Sequence, residues 1–422
     1  PLDASDLIEI SYDELPTVTD TSTALNSDSP ILFEEFGSNS AVDWELGSED
    51  EWKMVEDKAD HISKVDLINN RIVVNPIEPR SAISDYNKDN NHFTVYVESQ
   101  GSHAMRERLA GSLGVEEKNI KVVTNDVGGG FGLKMMCFPE YVATMFASRA
   151  LKRPVKWTST RSEAFLSDSH GRDHVTEASI AMDKEGNFLG VKVDTVAAVG
   201  AYLSQYGIFI PTLAGAGMHV GVYKIPVLYN KVNVVYTNTV PVDAYRGAGR
   251  PEASYVIERL VDKAADDLGI DPVELRVKNF VQPDEIGKHE GAILPLDSCD
   301  FQKTTEMSMV NSSYEDFLKR KEESKLENKL KGIGISYYIE RTQGEGAENS
   351  RVVISGEGSV KVFAGTQATG QGHETAWTQI LVEKLGVNPE DVSIHFGNSD
   401  DLPGGGGTGG SKSLYMAAGA IN

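Results

Sequence analysis

The sequence has little of what metalloproteins and membrane proteins usually show. It contains only two cysteines, Cys137 and Cys299, and because an iron–sulfur cluster normally takes more thiolates than this pair, the chain cannot hold such a cluster alone. Its nine histidines show no zinc-ligand spacing. No uninterrupted apolar run approaches the ~20 residues that span a membrane, and the opening residues lack a signal-peptide pattern. We therefore expect no membrane span and a cytoplasmic location.

The chain also lacks an excess of positive charge. Its formal net charge is −23, whereas nucleic-acid and anionic-membrane surfaces need clustered Lys and Arg. We therefore expect no nucleic-acid partner. What is present is ordinary for a globular protein, since 40% of the 422 residues are hydrophobic and 24% are charged. The length is sufficient for more than one domain and a large core.

Composition and periodicity divide the chain into four parts. Residues 1–50 are acidic, rich in Ser and Asp and mostly irregular, which suggests the end of a domain. Residues 51–311 and 332–422 carry short β-branched runs and apolar helical periods, the second region starting with the run at 332–338. The charged stretch 312–331 predicts a connecting helix between them. The other expected helices are 103–113, 140–151 and 251–268, and the expected strands are 71–74, 93–97, 120–124 and 392–396.

One order of elements occurs twice. Gln100-Gly-Ser-His103 precedes a helix that ends in Leu-Gly-Val, then a strand and the glycine run 128–132. Gln371-Gly-His373 precedes a helix that also ends in Leu-Gly-Val, then a strand and the glycine run 404–407. We infer two copies of one supersecondary unit. Because both copies end in a glycine loop, one elongated ligand could be held between the two.

The first glycine run, in the segment 126–134 (DVGGGFGLK), does not fit either common phosphate motif. A P-loop needs Ser or Thr after its Lys, and Lys134 is followed by Met135. A dinucleotide-binding βαβ unit needs GxGxxG and a later acidic residue after a second strand, and that spacing is absent. The run is therefore either a tight turn that lets a strand and a helix pack closely or a backbone surface for a different ligand.

Three further segments carry polar groups among small residues. The segment 244–250 (AYRGAGR) places two arginines before a helix start, which suits either an anion site or a solvated turn. The segment 370–373 (GQGH) sets an amide between two glycines, and an amide both donates to and accepts from a polar heterocycle. The segment 404–413 (GGGGTGGSKS) suits a pyrophosphate, or is a flexible linker.

Together these segments resemble those of a known family. The motifs NPIEP at 75–79, DVGGGFG, AYRGAGRPEA, LRVKNF at 275–280, GQGHET and SKS occur in this order. In this respect the chain is similar to the molybdenum-cofactor-binding large subunit of the xanthine oxidase family, and most similar to its aerobic carbon monoxide dehydrogenase branch. The resemblance implies an α+β fold with two repeated mixed α/β cofactor-binding domains. Residues 1–50 would then be the end of the family's N-terminal, hammerhead-like domain.

The resemblance also implies a cofactor and its contacts. The cofactor would be molybdenum with molybdopterin, in the cytosine dinucleotide form, and the metal would be held by the pterin dithiolene without direct side-chain ligands. Gln100 and the backbone at 130–132 (Gly130, Phe131 and Gly132) would face the apical oxygen of the molybdenum. Arg246, with Gly247 beside it, would line the substrate side. The pterin and its dinucleotide tail would be bound by Gly370, Gln371, Gly372, Ser411, Lys412 and Ser413.

The implied reaction is oxidation of a small molecule with water as the oxygen source, and electrons would leave through 2Fe–2S and FAD groups on an iron–sulfur subunit and an FAD subunit. Two departures from the family's motifs narrow the range of expected substrates. Carbon monoxide dehydrogenases carry a copper-binding cysteine where this chain has Gly247, which disfavours CO. Purine hydroxylases carry an acid where this chain has Met135, which disfavours xanthine. An aldehyde or a heterocycle is therefore the expected substrate.

One catalytic group of the family is expected outside this chain. The family's general base is a Glu in a GVGE motif well beyond the SKS segment, and the sequence here stops at Asn422. We therefore expect a second polypeptide to supply the base and to complete the second cofactor domain, and we expect this chain to be inactive without its partners. The alternatives are a non-catalytic binding or assembly protein with the same fold, and a carbon monoxide dehydrogenase-like enzyme that lacks the copper cysteine.

Overall fold

The computed structural model describes residues 7–287, 296–342, 348–402 and 404–422. In these residues three main sheets and the helices around them form an α+β fold. The longer helices are α1 (Glu49–Glu56), α2 (Ser102–Leu113), α3 (Pro139–Leu151), α4 (Arg161–Ser167), α5 (Arg250–Leu268), α6 (Pro272–Asn279), α7 (Phe301–Ser312), α8 (Phe317–Leu326), α9 (His373–Leu385) and α10 (Ala418–Ile421). The strands are β1 (Ser40–Leu46), β2 (His61–Asn69), β3 (Ile72–Val73), β4 (Ser81–Asn87), β5 (His92–Val97), β6 (Ile120–Val123), β7 (Val155–Thr158), β8 (His170–Gly171), β9 (His174–Met182), β10 (Phe188–Gly200), β11 (Val227–Tyr236), β12 (Ser350–Ile354), β13 (Val360–Ala364) and β14 (Val392–His395).

The largest sheet has the strand order β1-β11-β10-β9-β2, and its pairs are antiparallel except β10 with β11. Helix α5 corresponds to the predicted helix 251–268, and it packs across this sheet. Pro251 stands in the first turn of α5, where its missing N–H leaves no hydrogen bond unmade. The apolar face of α5, including Ile257 and Leu260, is buried against Ile180 and Val191 of the sheet. This layer forms the largest core.

The segment before residue 50 belongs to this sheet. Strand β1 is its edge strand and pairs with β11, from Leu46 opposite Asn230 to Ser40 opposite Val235. The predicted division at residue 50 thus falls between β1 and the rest of a sheet that is hydrogen-bonded as one. The domain bounds otherwise stay a prediction.

The second sheet, β6-β5-β4-β7, carries α2 and α3. Strands β4 and β5 are antiparallel, and β6 returns parallel to β5 after α2. Phe93 and Val95 of β5 are buried with Leu109 of α2 and Tyr141 of α3. A parallel return needs a crossover element, and the predicted helix 103–113 provides it.

The third sheet, β12-β13-β14, repeats this arrangement and confirms the internal repeat. Strands β12 and β13 are antiparallel, and β14 returns parallel to β13 after α9. Both crossover helices end at a left-handed glycine, Gly114 and Gly386, each with a φ of 69°. The glycine of each Leu-Gly-Val triplet is therefore a helix C-cap.

The two repeats are joined through the end of β6. Val123 forms a β-bridge with Asn398 in the segment that follows β14. The amide of Thr124 donates to the carbonyl of Gly397 at 2.8 Å, and the amide of Ser399 donates to that of Val122 at 3.0 Å. This junction brings the loops that follow β6 and β14 to the same side of the molecule.

The connection between the repeats differs from the prediction. The charged stretch 312–331 is not one helix: α7 ends at Ser312, where Ser313 adopts a left-handed conformation, and a separate helix runs over Phe317–Leu326. The run 332–338 forms no strand in the structure. Its Tyr337 packs instead against Phe280 in the core of the first sheet, with the ring centroids 4.8 Å apart. The apolar residues of this run thus extend an existing core.

Three smaller observations complete the fold. The predicted strand 71–74 is reduced to the two residues of β3, which pair with β8. Among the described residues no helix is both long and apolar enough to cross a membrane. Cys137 and Cys299 are free thiols.

Candidate functional site

The first glycine loop, defined here as residues 128–132, is shaped by close backbone approaches. Phe131 and Gly132 both have a positive φ, 54° and 108°. A Cβ atom at Gly132 would collide with the carbonyl oxygen of Ala244. Gly132 is therefore required both by its backbone conformation and by the neighbouring segment. Phe131 is 42% exposed, so its ring faces outward from this loop.

Gln100 lies between the two glycine loops. Its side chain is buried, and its Oε1 accepts a hydrogen bond of 2.9 Å from the amide of Gly132. Its Nε2 donates to the carbonyl of Thr408 at 2.9 Å, in the second glycine loop, defined here as residues 404–410. The amide of Thr408 donates back to the carbonyl of Gln100 at 2.6 Å. One side chain therefore joins loops that are about 275 residues apart in sequence.

An ion pair that is buried on its lysine side holds both ends of the first glycine loop. Lys134, whose side chain is fully buried, places its Nζ 2.8 Å from Oε2 of Glu78. The same oxygen accepts the amide of Gly128 at 2.7 Å. The carbonyl of Lys134 accepts the amide of Gln100 at 3.0 Å. Glu78 of the NPIEP motif therefore stabilises the conformation of this loop.

The arginine loop, defined here as residues 244–250, lies against the first glycine loop. The amide of Arg246 donates to the carbonyl of Phe131 at 2.9 Å, and the Arg246 guanidinium carbon lies 5.8 Å from the centre of the Phe131 ring. Gly247 has a φ of 94°, and a Cβ atom there would collide with the Pro251 ring. A cation beside an exposed aromatic ring offers a place for a flat or polar small molecule.

A second buried ion pair lies beneath the arginine loop. Nη1 of Arg172 is 2.8 Å from Oε1 of Glu252, and both side chains are at most 10% exposed. Nη2 of Arg172 donates to the carbonyl of Arg246 at 2.8 Å. Oε2 of Glu252 accepts the amide of Gly249 at 2.9 Å. The backbone of the arginine loop is thus bound from below by charged groups.

The second glycine loop continues into the SKS segment. The Thr408 hydroxyl donates to the carbonyl of Gln367, and the Ser413 hydroxyl lies 3.3 Å from that of Thr408. Ser411 is exposed with a φ of 56°, and Lys412 is half-buried and begins a π-helical turn. These residues stand at the same junction of the repeats as Gln100.

The GQGH segment forms an open backbone cradle before helix α9. Gly370 and Gly372 have φ values of 109° and 75°, and no other atom lies within 4 Å of where their Cβ atoms would be. Gln371 is exposed, and its Oε1 accepts a hydrogen bond of 3.1 Å from the Thr369 hydroxyl. In the described part of the chain, no hydrogen bond joins residues 370–372 to Gln100. Gln367, which lies with residues 370–372 on the connection between β13 and α9, links this segment to the part of the chain beside Gln100.

Several residues of this site escaped the sequence-based prediction. Gln367 is fully buried, donates through Nε2 to the carbonyl of Ser99, and leaves its Oε1 without a partner in the structure. It follows β13 by as many residues as Gln100 follows β5, so the internal repeat contained the signal that identifies it. Arg172 had no comparable signal, and Thr408 and Glu252 lie within the quoted motifs but had nothing in their spacing that indicated their partners.

Two buried carboxyl groups near these loops have raised pKa values. Burial raises the pKa of Asp243, which adjoins the arginine loop and accepts the amide of Tyr206 at 3.0 Å. Burial also raises the pKa of Glu98, which contacts Ser81 and Tyr141 behind the first glycine loop. Among the described residues no group of three or more His, Cys, Asp or Glu side chains could hold a metal ion. Backbone amides, side-chain amides, hydroxyls and arginine are the groups that this site offers to a ligand.

The chain matches two family models, each described as a molybdopterin cofactor-binding domain, over residues 32–280 and 308–422. It is 30% identical to the carbon monoxide dehydrogenase large chain of Afipia carboxidovorans, over 99% of this chain and 56% of that protein. It is also 30% identical to the 6-hydroxypseudooxynicotine dehydrogenase complex subunit gamma of Paenarthrobacter nicotinovorans, over 99% of this chain and 53% of that one.

Solved structures give the same picture. Quinoline 2-oxidoreductase from Pseudomonas putida 86 superposes with a TM-score of 0.91 at 28% identity, over 100% of this chain and 55% of that chain. The chain thus spans about half the length of the proteins that it matches.

Proposed function

This chain belongs to the molybdopterin cofactor-binding family, and on that premise we propose that it forms part of the large subunit of a molybdenum hydroxylase. The observation that carries the proposal is the position of Gln100, whose amide joins the glycine loops of both repeats beside the arginine loop. The three loops that the family resemblance selected meet at one place, although they are far apart in sequence.

The residues at this junction fit the cofactor. The open, exposed backbone at Gly370 and Gly372 precedes the N-terminus of α9, where unpaired amides favour anions and polar rings. Gln371, Ser411, Lys412 and Ser413 would hold the pterin and its dinucleotide tail, and Gln100 with the backbone of Phe131 and Gly132 would border the metal. When bound, the molybdenum cofactor would supply two-electron oxidation with water as the oxygen source.

Arg246 and Phe131 would orient the substrate. The exposed ring of Phe131 offers a flat apolar surface, and the guanidinium above it offers hydrogen-bond donors to a ring nitrogen or a carbonyl oxygen. We propose an aromatic heterocycle or an aldehyde as the substrate. The names of two of the reported proteins, a quinoline oxidoreductase and a 6-hydroxypseudooxynicotine dehydrogenase subunit, support the heterocycle.

Two residues argue against the other substrates of the family. A cysteine at Gly247 would place its Cβ in the Pro251 ring, so this backbone has no place for a copper-binding thiol. Met135 packs in the core of the second sheet, and a Cβ at Gly409 would lie 3.1 Å from its sulfur. The position that holds an acid in purine hydroxylases is therefore occupied by an apolar side chain that lies against the second glycine loop.

Partners follow from the same proposal. An iron–sulfur subunit and an FAD subunit would carry the electrons away, since two cysteines cannot hold a cluster. The name of the 6-hydroxypseudooxynicotine protein, which is a subunit of a complex, supports such an assembly. That a second polypeptide supplies the general base stays a prediction, as do the cytosine dinucleotide and the inactivity of the isolated chain.

Dye reduction by the co-purified complex tests this function. The complex is incubated with a panel of N-heterocycles, aromatic aldehydes, xanthine and CO, and the reduction of an artificial electron acceptor is followed. We expect reduction with a heterocycle or an aldehyde, and none with CO or xanthine. A complex that carries molybdenum and reduces the dye only with CO would contradict the inference that Gly247 disfavours CO as a substrate. A folded chain that binds neither molybdenum nor substrate would favour the non-catalytic alternative.

A further inference from the structure

The connection between β8 and β9 has an unusual backbone. Arg172 and Asp173 are consecutive and neither is glycine, yet both have a positive φ, 68° and 71°. Such a conformation is costly for a residue with a side chain and persists only where the surroundings impose it. Here the carboxylate of Asp173 is bound by Nε of Arg71 at 2.7 Å and by the hydroxyl of Thr21 at 2.7 Å. Strain of this kind clusters at active sites, ligand clamps and switch regions.

The strained turn directs the Arg172 side chain beneath the arginine loop. Its guanidinium donates to the carbonyls of Arg246 at 2.8 Å and Tyr245 at 3.4 Å. It also lies 4.9 Å from the centre of the Tyr245 ring. A planar guanidinium presents these donors on two nitrogens in a fixed fork, whereas the three donors of an ammonium group all radiate from one nitrogen and cannot reproduce that geometry.

Glu252 extends this contact to the other end of the loop. It pairs with Arg172 through Oε1 and accepts the amide of Gly249 through Oε2. Gly249 has a φ of 94° and lies against the carbonyl of Ile210, so no side chain fits there. One buried ion pair therefore fixes the backbone on both sides of Gly247.

We propose that Arg172, together with Glu252, is a positioning residue that sets where Arg246 stands relative to Phe131. The amide of Arg246 is bonded to the carbonyl of Phe131, and its own carbonyl is bonded to Arg172, so the backbone of Arg246 is held from both sides. The effect of the Arg246 position on substrate binding rests on the proposed function. The control of the loop by the ion pair does not depend on it.

The test compares two buried arginines by substitution with lysine. R172K keeps the charge but loses the planar set of donors. R276K is the matched control, because Arg276 is also buried and paired, with its Nε 3.0 Å from Oε2 of Glu258 in the main core. Hydrogen exchange of the amides of Arg246 and Gly249 is measured on the full, cofactor-free chain. We expect exchange in R172K to be ~10-fold faster or more, the order expected when a charge-assisted hydrogen bond is lost, and nearly unchanged in R276K.

Other outcomes would overturn the proposal. It fails if exchange at both amides in R172K stays at the wild-type rate, or if R276K raises it equally, since the effect would then be general destabilisation. E252Q serves if R172K does not fold, because glutamine can still accept the Gly249 amide but weakens the hold on Arg172. We then expect the exchange rate, relative to the wild type, to rise more at the Arg246 amide than at the Gly249 amide. An equal rise at both amides would contradict the account. All readouts use the cofactor-free chain, so a failure to find molybdenum would refute the proposed function without touching this result.

Discussion

At the scale of single residues, Gln100 has the most consequential contacts. It is the point at which the first and second glycine loops are hydrogen-bonded to one side chain, and its amide is almost fully buried. A buried amide with both ends bonded holds its partners in one geometry, because breaking either bond leaves a polar group without water.

Replacing Gln100 tests this role. Gln100→Ala leaves the Gly132 amide and the Thr408 carbonyl without their partner, and we expect the free energy of unfolding to fall by about 2 to 4 kcal/mol. The measurement is urea unfolding. Gln371→Ala is the matched control, because Gln371 is exposed, and its loss should change stability by less than about 0.5 kcal/mol while reducing cofactor retention. Equal destabilisation by the two substitutions would contradict the structure of the junction.

Gly132 gives a second prediction at this scale. Gly132→Ala forces a side chain into a left-handed position and into the Ala244 carbonyl, and we expect a loss of about 3 kcal/mol or more. Gly111→Ala in α2 is the control, since Gly111 has no neighbouring atom within 4 Å of its would-be Cβ. It should stabilise the helix by about 0.5 to 1 kcal/mol. Thermal unfolding of both variants separates the two effects, and a neutral Gly132→Ala would refute the close approach.

At the scale of elements, the turn beneath the large sheet contains a buried titratable residue, His219. Burial lowers the pKa of His219 to about 4, and its Nδ1 lies 2.7 Å from Nδ2 of Asn230 on β11. The folded state thus binds a proton less readily than the unfolded state. The stability from this group is fully present above the unfolded pKa of about 6.5 and is lost as the pH falls towards 4, by about 3 kcal/mol in total.

Urea unfolding at about pH 7 and about pH 5 measures this effect. The free energy of unfolding should fall over that interval, and His219→Gln should make the fall smaller because the residue no longer titrates. His174, whose pKa burial also lowers, contributes in the same direction and remains in the variant. An identical fall in both proteins would show that His219 is accessible to water in the folded state.

The elements also show how far the sequence determines this fold. Helices α2, α3, α5 and α9 follow apolar periods. Glycines cap the C-termini of α2, α5 and α9, and a proline stands in the first turn of α3 and of α5, so these helices could be predicted from local chemistry. The connection at 312–338 could not. Its charged part lacks an apolar face that would fix a helix length, and Tyr337 finds its partner in a core that is distant in sequence. Long-range packing decides such segments.

The candidate site divides in the same way. Its glycine loops and Gln100 could be predicted, because a repeated order of motifs is visible in the sequence. The ion pairs Lys134–Glu78 and Arg172–Glu252 could not, because each joins residues that only the fold brings together. A charged residue, even one within a motif, carries no sign of its partner in a single sequence.

At the scale of the whole molecule, the arrangement of two repeats accounts for the site. Each repeat ends in a glycine loop, and the bridge between β6 and the segment after β14 sets the two loops side by side. A ligand that contacts both loops would link the two repeats. Such a ligand should stabilise the folded chain in proportion to its binding.

The central claim is that the junction of the two repeats binds molybdopterin. The most direct measurement is the molybdenum and pterin content of the full complex, purified from cells that make the cofactor, for the wild type and for Gln100→Ala. We predict near-stoichiometric molybdenum and pterin in the wild type and a marked loss of both in the variant. A folded wild-type chain without molybdenum or pterin, from cells in which another molybdenum enzyme is fully loaded, would contradict the account.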